Sequence, residues 1–215
     1  MDTELLNDII LTSQKCQRNW DLKKSISDTD LNVLINAATN CPSKQNEVYY
    51  QVDVIKNREL IKNIYNCTNG YALHGNEQKS LESEHNFKSS VKTICNSQTL
   101  ANVVFAFRKD YGTTNRSLEN MALNYMGKET DAYIAQRNIS IGIASGYVTL
   151  VAHMLGLKTG FCSCITGPID RYAKDCLLLL GVGYEDKNRD RLEHHLDPKI
   201  KYKTFNKKIK YNIIK

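Results

Sequence analysis

The side chains in this sequence that could do chemistry fall in a few short clusters. Cys162 and Cys164 flank one residue in a strand-like stretch, where alternation turns both sulfurs to one face, a pattern that invites a metal or a redox pair. No second cysteine pair at zinc-finger spacing accompanies them, which argues against a metal. His194 and His195 stand near Glu193 and Asp197, but adjacent strand residues point to opposite faces, so they do not converge on one ion. No metal site is expected. Ser43, Lys44 and Asn46 follow Cys41-Pro42, where backbone N–H groups and short polar side chains are free to hydrogen-bond a ligand. The plain alternative is a helix-terminating turn that binds nothing. Arg18 follows Gln14, Lys15 and Cys16 and is either a functional cation or a surface arginine paired with Asp21 or Asp28. Arg189 and Arg191 lie among Asp186, Asp190 and Glu193, as in a solvated charged loop. Asn96 sits in a polar turn, where asparagine commonly serves the turn itself.

These clusters are held by a mixed series of elements. Leu5, Leu6, Ile9 and Ile10 repeat with helical spacing, and residues 1–8 already read as helix. Ser27 stands three residues ahead of Asp30, as in a capping box, and Leu31, Leu34, Ile35 and Ala38 then form an apolar helical face. Cys41-Pro42-Ser43 stops that helix, because the residue before proline is pushed out of the α region. Residues 48–55 are rich in β-branched and aromatic types and predict a strand, and 58–65 return to helical spacing. Residues 66–92 show little periodicity and read as a variable excursion. The apolar run 102–107 has strand length and should lie centrally in a sheet. A mixed stretch over 117–136 predicts a helix that leads into a longer apolar one over 139–155, ended by Gly156. Residues 160–165 and 177–183 supply two further strands around a short helix near 169–174. Without regular βαβ repetition, the order favours an α+β fold.

At 215 residues, with 41% hydrophobic residues, the chain can bury a full core, and one domain over 1–215 is expected. The longest apolar stretch, 139–157, is broken by Ser140, Gly142, Ser145, Gly146, Thr149 and His153, so it predicts a buried helix and not a membrane span. Gly142 and Gly146 share one face of that helix and permit close approach, either within the subunit or across a two-fold axis. The opening residues do not resemble a signal sequence, and the odd count of seven scattered cysteines suggests reduced thiols, so a cytoplasmic location is expected. The formal charge of +6 is concentrated in the tail: removing the seven lysines of 199–215 leaves the rest at −1. That tail interleaves Tyr202, Phe205 and Tyr211 with lysines, a pattern also seen in nucleic-acid arms.

Several segments, taken in order, resemble the nitroreductase family. Gln14-Lys15-Cys16-Gln17-Arg18-Asn19-Trp20-Asp21 is similar to the family's Arg-x-Ser-x-Arg-x-Phe-Asp stretch, and Ala37–Asn46, containing Cys41-Pro42-Ser43-Lys44-Gln45-Asn46, to its Ala-Pro-Ser-x-x-Asn turn. Residues 96–107 match its mid-chain polar turn and apolar strand. Ala152-His153-Met154-Leu155-Gly156-Leu157-Lys158-Thr159-Gly160-Phe161 resembles its Ala-x-x-Leu-Gly-Leu-Gly-Thr helix end, with 180–184 as its Gly-Tyr strand end. Two departures stand out. Gln14 takes the place of an arginine that meets the flavin phosphate, and Val48-Tyr49-Tyr50 replaces a frequent Gln-Pro-Trp.

The resemblance implies a nitroreductase-like fold, a central mixed or antiparallel sheet flanked by helices, in an intertwined homodimer that binds FMN. Arg18 would stand near N1 and the C2 carbonyl of the flavin as the catalytic cation. Lys15, Arg189 and Arg191 would supply the phosphate charge that Gln14 lacks, beside Cys16. Pro42, Ser43, Lys44 and Asn46 would reach the flavin across the dimer interface, and Asn96 would bond its pyrimidine edge. Cys162, Ser163 and Cys164 would lie against the ring. NADH or NADPH would be the electron donor and a nitroaromatic, a quinone or a related small molecule the acceptor, in ping-pong order. The nicotinamide site in such proteins is shallow, so the missing Gly-x-Gly-x-x-Gly is no objection. The tail would pack on the partner subunit in preference to binding nucleic acid. Rival readings are a specialised flavin enzyme of the same fold, dehalogenase-like or flavin-fragmenting, and a non-catalytic dimer with a nucleic-acid-binding tail.

Overall fold

The computed structural model describes residues 2–68, 96–110, 131–165, 175–188 and 209–214. Helix α1 (Thr3–Ser13) starts two residues later than the sequence pattern suggested, because the Asp2 carboxylate accepts from the Glu4 N–H and caps it. Helix α2 (Asp28–Thr39) begins where Ser27 predicted: its Oγ accepts from the Asp30 N–H at 3.0 Å and donates to the Asp30 carboxylate at 2.8 Å. Its buried residues are Leu31, Leu34 and Ala38, and its C-terminal end is tied down by the Tyr50 hydroxyl, which donates to Ala38 O at 2.6 Å. Strand β1 (Tyr50–Ile55) and helix α3 (Arg58–Asn66), capped by Asn57, follow.

Strands β1, β2 (Val103–Lys109), β3 (Lys158–Cys162) and β4 (Cys176–Gly183) form one antiparallel sheet in the order β1-β2-β4-β3. Alternation sends Val103, Phe105, Phe107, Leu180 and Val182 to one face, where α2 and helix α4 (Asp131–Met154) cover them. Val104, Ala106, Leu179 and Cys162 go to the other face and meet Ile61 and Ile64 of α3. Residues 103–107 of β2 are buried on both faces, which is why they form an unbroken apolar run ahead of Arg108 and Lys109.

Besides the later start of α1 and of β1 at Tyr50, two boundaries differ more widely from the sequence reading. Helix α4 is continuous from Asp131, so residues 131–138 belong to the long helix, and Tyr133 and Arg137 carry its buried face back at helical spacing. Strand β3 spans Lys158–Cys162, not 160–165; Ile165 makes only an isolated bridge to Thr68. The excursion beyond Thr68, residues 117–130, the short helix near 169–174 and the arginines at 189 and 191 lie outside the described residues, as do both adjacent histidines and the tail up to 208. Among the described residues no helix is long and apolar enough to cross a membrane.

His153, near the end of α4, is 7% exposed and has no hydrogen-bond partner for either ring nitrogen. Burial, with Lys158 adding like charge, pushes its pKa from the usual 6.5 down to about 4. The unfolded chain therefore takes up a proton that the folded chain resists. Stability is therefore full above pH 6.5 and is lost as pH falls toward 4. His153→Leu should flatten the acid limb of a urea-denaturation series in that window; a limb of unchanged steepness would contradict this assignment.

Candidate functional site

Gly160 of β3 and Gly181 of β4 are directly paired across the sheet, on the face away from α2 and α4. Two chain segments use the space left by their missing side chains. A Cβ at Gly160 would stand 2.5 Å from Gln17 O and 2.9 Å from the Gln98 Cβ, and one at Gly181 would collide with Gln98 O. The segment after α1 and the 3₁₀ turn Ser97–Leu100 can thus lie directly on the strands.

Hydrogen bonds then fix both segments. The Gln17 N–H donates to Thr159 O at 2.7 Å and the Asp21 N–H to Tyr184 O at 2.8 Å. Trp20 is buried and its indole Nε1 donates to Ser97 O at 2.9 Å, joining the segments to each other. Asn102 Nδ2 donates to Asp21 O and Lys24 O, and its Oδ1 accepts from the Tyr184 N–H. The Gln17 side chain accepts from the backbone N–H groups of Arg18 and Asn19, at 2.9 and 3.3 Å.

This arrangement buries Arg18, Asn96 and Gln98 to 9%, 3% and 5% exposure. Arg18 is accordingly no surface residue; Asp21 and Asp28 lie against Lys24 and Lys56 at 3.7 and 3.2 Å. Asn96 Nδ2 and Gln98 Oε1 are buried with no hydrogen-bond partner. Leaving such atoms without a bond costs about 1–3 kcal/mol each, so this turn holds one donor and one acceptor available to a ligand.

The other sequence candidates are distributed around this core. Lys15 and Cys16 line a polar cleft of about 320 Å³, joined there by Lys158, Glu185, Asp186 and Lys187. Gln14 does not line it; its Nε2 donates to Leu11 O at 2.9 Å and closes the end of α1. Cys162 is buried and Cys164 exposed, and β3 ends at Cys162, so strand pairing stops short of Cys164, although the two thiols still interact. Burial pushes the Cys162 thiol up to about 12, which removes the thiolate that redox or metal chemistry needs. Ser163 is exposed just beyond the strand.

Ser43 and Asn46 line a separate groove of about 400 Å³ with Cys41, Glu47, Tyr49 and Tyr50, which shares no residue with the lysine cleft. Pro42 and Lys44 are exposed beside it, and the Ser43 hydroxyl is engaged locally, donating to Glu47 O at 2.8 Å. Gln45 and Asn46 both have left-handed φ, 55° and 57°, a conformation costly for residues with side chains and most frequent at functional turns. One chain therefore ties the segments of Arg18 and Asn96 to each other and the first of them to β3, and keeps the Ser43–Asn46 groove apart from the lysine cleft. Sequence reasoning missed Gln98, Lys158 and Lys187. A polar quartet, Asn96-Ser97-Gln98-Thr99, just ahead of a buried strand was the available signal for the first.

The chain matches the model of the nitroreductase family over residues 11–184, and it belongs to that family. Solved structures share the fold at low identity. A nitroreductase family protein from Streptococcus pneumoniae TIGR4 is 16% identical, with a TM-score of 0.57 over 94% of this chain and 100% of that one. An FMN-dependent nitroreductase from Clostridium difficile R20291 is 15% identical, with a TM-score of 0.54 over 94% of this chain and 100% of that one. A protein classed as a nitroreductase and solved in complex with FMN, from Exiguobacterium sibiricum 255-15, is 16% identical, with a TM-score of 0.59 over 92% of this chain and 97% of that one. No curated protein matches the chain.

Proposed function

We propose that the protein is an FMN-dependent oxidoreductase that works as a homodimer, taking electrons from NADH or NADPH and passing them to a small acceptor such as a nitroaromatic or a quinone. The observation that carries this reading is the buried, unpartnered Asn96 Nδ2 and Gln98 Oε1 on a turn that Trp20 joins to the Arg18 segment, with Gln98 packed against Gly160 and Gly181. A planar ring edge that offers acceptors next to an N–H donor fits that pair. Family membership and a relative named as FMN-dependent support the choice of cofactor. FMN supplies two-electron chemistry once bound; the chain has to hold it and set its charge balance.

In this reading Arg18 faces the edge where negative charge grows on reduction. Lys15, Lys158 and Lys187 stand where the phosphate charge can be met, with Arg189 and Arg191 further along, while Gln14 caps its helix. Cys162, Ser163 and Cys164 give backbone contact at the ring, and Pro42, Ser43, Lys44 and Asn46 come from the second subunit. The separate groove around Ser43 and Asn46 supports that last assignment. Titrating the purified protein with FMN while following flavin fluorescence tests the fit, and a protein that FMN cannot reconstitute would favour a non-catalytic dimer instead. Parallel double-reciprocal plots are expected, because one shallow cavity must serve donor and acceptor in turn; intersecting plots would count against it.

The dimer rests on α4. Ile139, Tyr147 and Met154 are exposed along it, and a Cβ at Gly142 or Gly146 would meet nothing within 4 Å, so among the described residues nothing packs on these glycines. The described end of the tail is likewise uncovered, with Tyr211 83% exposed. A second copy that covers both would explain the pattern. Gly146→Leu should leave the monomer fold intact, since the space is open, and shift sedimentation toward monomer. A variant that stays fully dimeric would place the interface elsewhere.

A further inference from the structure

The 3₁₀ turn that carries Asn96 and Gln98 is four residues long and lacks a side-chain cap at its start. A turn this short has little stability of its own, so its place is imposed from outside. On one side Trp20 binds Ser97 O, and the Asn96 N–H donates to Thr68 Oγ1 at 2.9 Å. On the other, the first residue of α3 closes it: Arg58 donates from Nη1 to Ala101 O at 2.6 Å and from Nη2 to Leu100 O at 2.8 Å. The two bonds leave one planar guanidinium in parallel, which sets the direction of the two carbonyls as well as their distance. Helix α3 is a firm base for this fork, since Ile61 and Ile64 are fully sunk in the second apolar layer. Burial holds the Arg58 pKa below its usual value, as expected for a half-buried cation bonded to neutral carbonyls.

We propose that Arg58 is a positioning residue for cofactor binding: its fork on Leu100 and Ala101 presets the 96–100 turn, and so aims Asn96 Nδ2 and Gln98 Oε1 at the FMN ring edge. Arg58 itself does not touch the cofactor. The inference rests on the flavin reading above and adds to it a residue that lies 38 positions before Asn96 in the chain, on an element outside the site. A lysine at this position keeps the charge and the stem but replaces the rigid two-nitrogen fork by one nitrogen whose donors rotate, so charge and fork are separable.

The test uses the full-length protein with Arg58→Lys and Arg58→Ala. Three quantities are read: FMN affinity by fluorescence, the flavin midpoint potential at saturation, and amide exchange over residues 96–102 before FMN is added. A hydrogen bond from a charged donor contributes about 1.5–3 kcal/mol, so losing one corresponds to roughly a 10- to 100-fold change. Arg58→Lys is expected to melt within a few degrees of the parent, exchange faster at 96–102, bind FMN about 10- to 100-fold more weakly and show a shifted potential. Methylguanidinium should restore binding to Arg58→Ala, which a merely unfolded variant would not allow. Parent-like affinity and potential in Arg58→Lys would overturn the inference, as would weak binding with no rescue and no change in potential. If the parent protein itself fails to bind FMN, the flavin reading fails first, and the variants are not needed to reveal it.

Discussion

Arg18→Ala should lower the midpoint potential of the FMN-saturated protein and slow its reduction by NADH or NADPH by roughly 30- to 1,000-fold. A cation placed where negative charge develops in a partly desolvated site contributes about 2–4 kcal/mol, which converts to that range of rates. Arg18 meets the structural conditions. It is 9% exposed, its backbone N–H is pinned by the Gln17 side chain at 2.9 Å, and its segment is locked to the sheet through Gln17 and to the Ser97–Leu100 turn through Trp20. A residue that only binds the phosphate would behave differently, weakening the oxidised and reduced forms alike and leaving the potential where it was. Equal midpoint potentials in parent and variant would therefore remove Arg18 from the chemistry, even if affinity dropped.

The second large effect concerns stability. Arg108 of β2 lies under the sheet with its Nη1 2.9 Å from Asp53 Oδ2 on β1 and its Nη2 3.7 Å from Asp175. The guanidinium is buried, so the ion pair replaces hydration that the folded chain does not provide. Asp53→Ala removes the shorter of these two contacts from a buried charge. It should cost about 3 kcal/mol in urea denaturation, the lower end for breaking a buried pair, because Asp175 remains. Lys56→Ala, which breaks the exposed bridge to Asp28, should cost under about 1 kcal/mol. Similar costs for the two variants would show that the Arg108 pair is solvated.

Local chemistry was legible in the sequence where a few neighbouring residues decide it. Ser27 with Asp30 marked the start of α2, Cys41-Pro42 its end, and the apolar run before Lys109 the inner strand. The first motif led to Arg18 because its residue types are contiguous. Gln98 was hidden, since its meaning depends on Gly160 and Gly181, which become its neighbours only when β3 and β4 pair. Arg58 was hidden for the same reason: nothing near it in the chain announces that two carbonyls beyond residue 99 will arrive at its guanidinium. The strand predicted over 160–165 ran too far because its periodicity was extended past Cys162, where pairing with β4 stops.

The most direct test of the central reading is the visible spectrum of the purified protein under anaerobic conditions, taken before and after NADH and then NADPH. A yellow protein whose flavin bands bleach with one of the two donors and return on addition of a quinone or nitroaromatic is the expected result. A protein that stays colourless after incubation with FMN, or that binds FMN which neither nicotinamide bleaches, would contradict it.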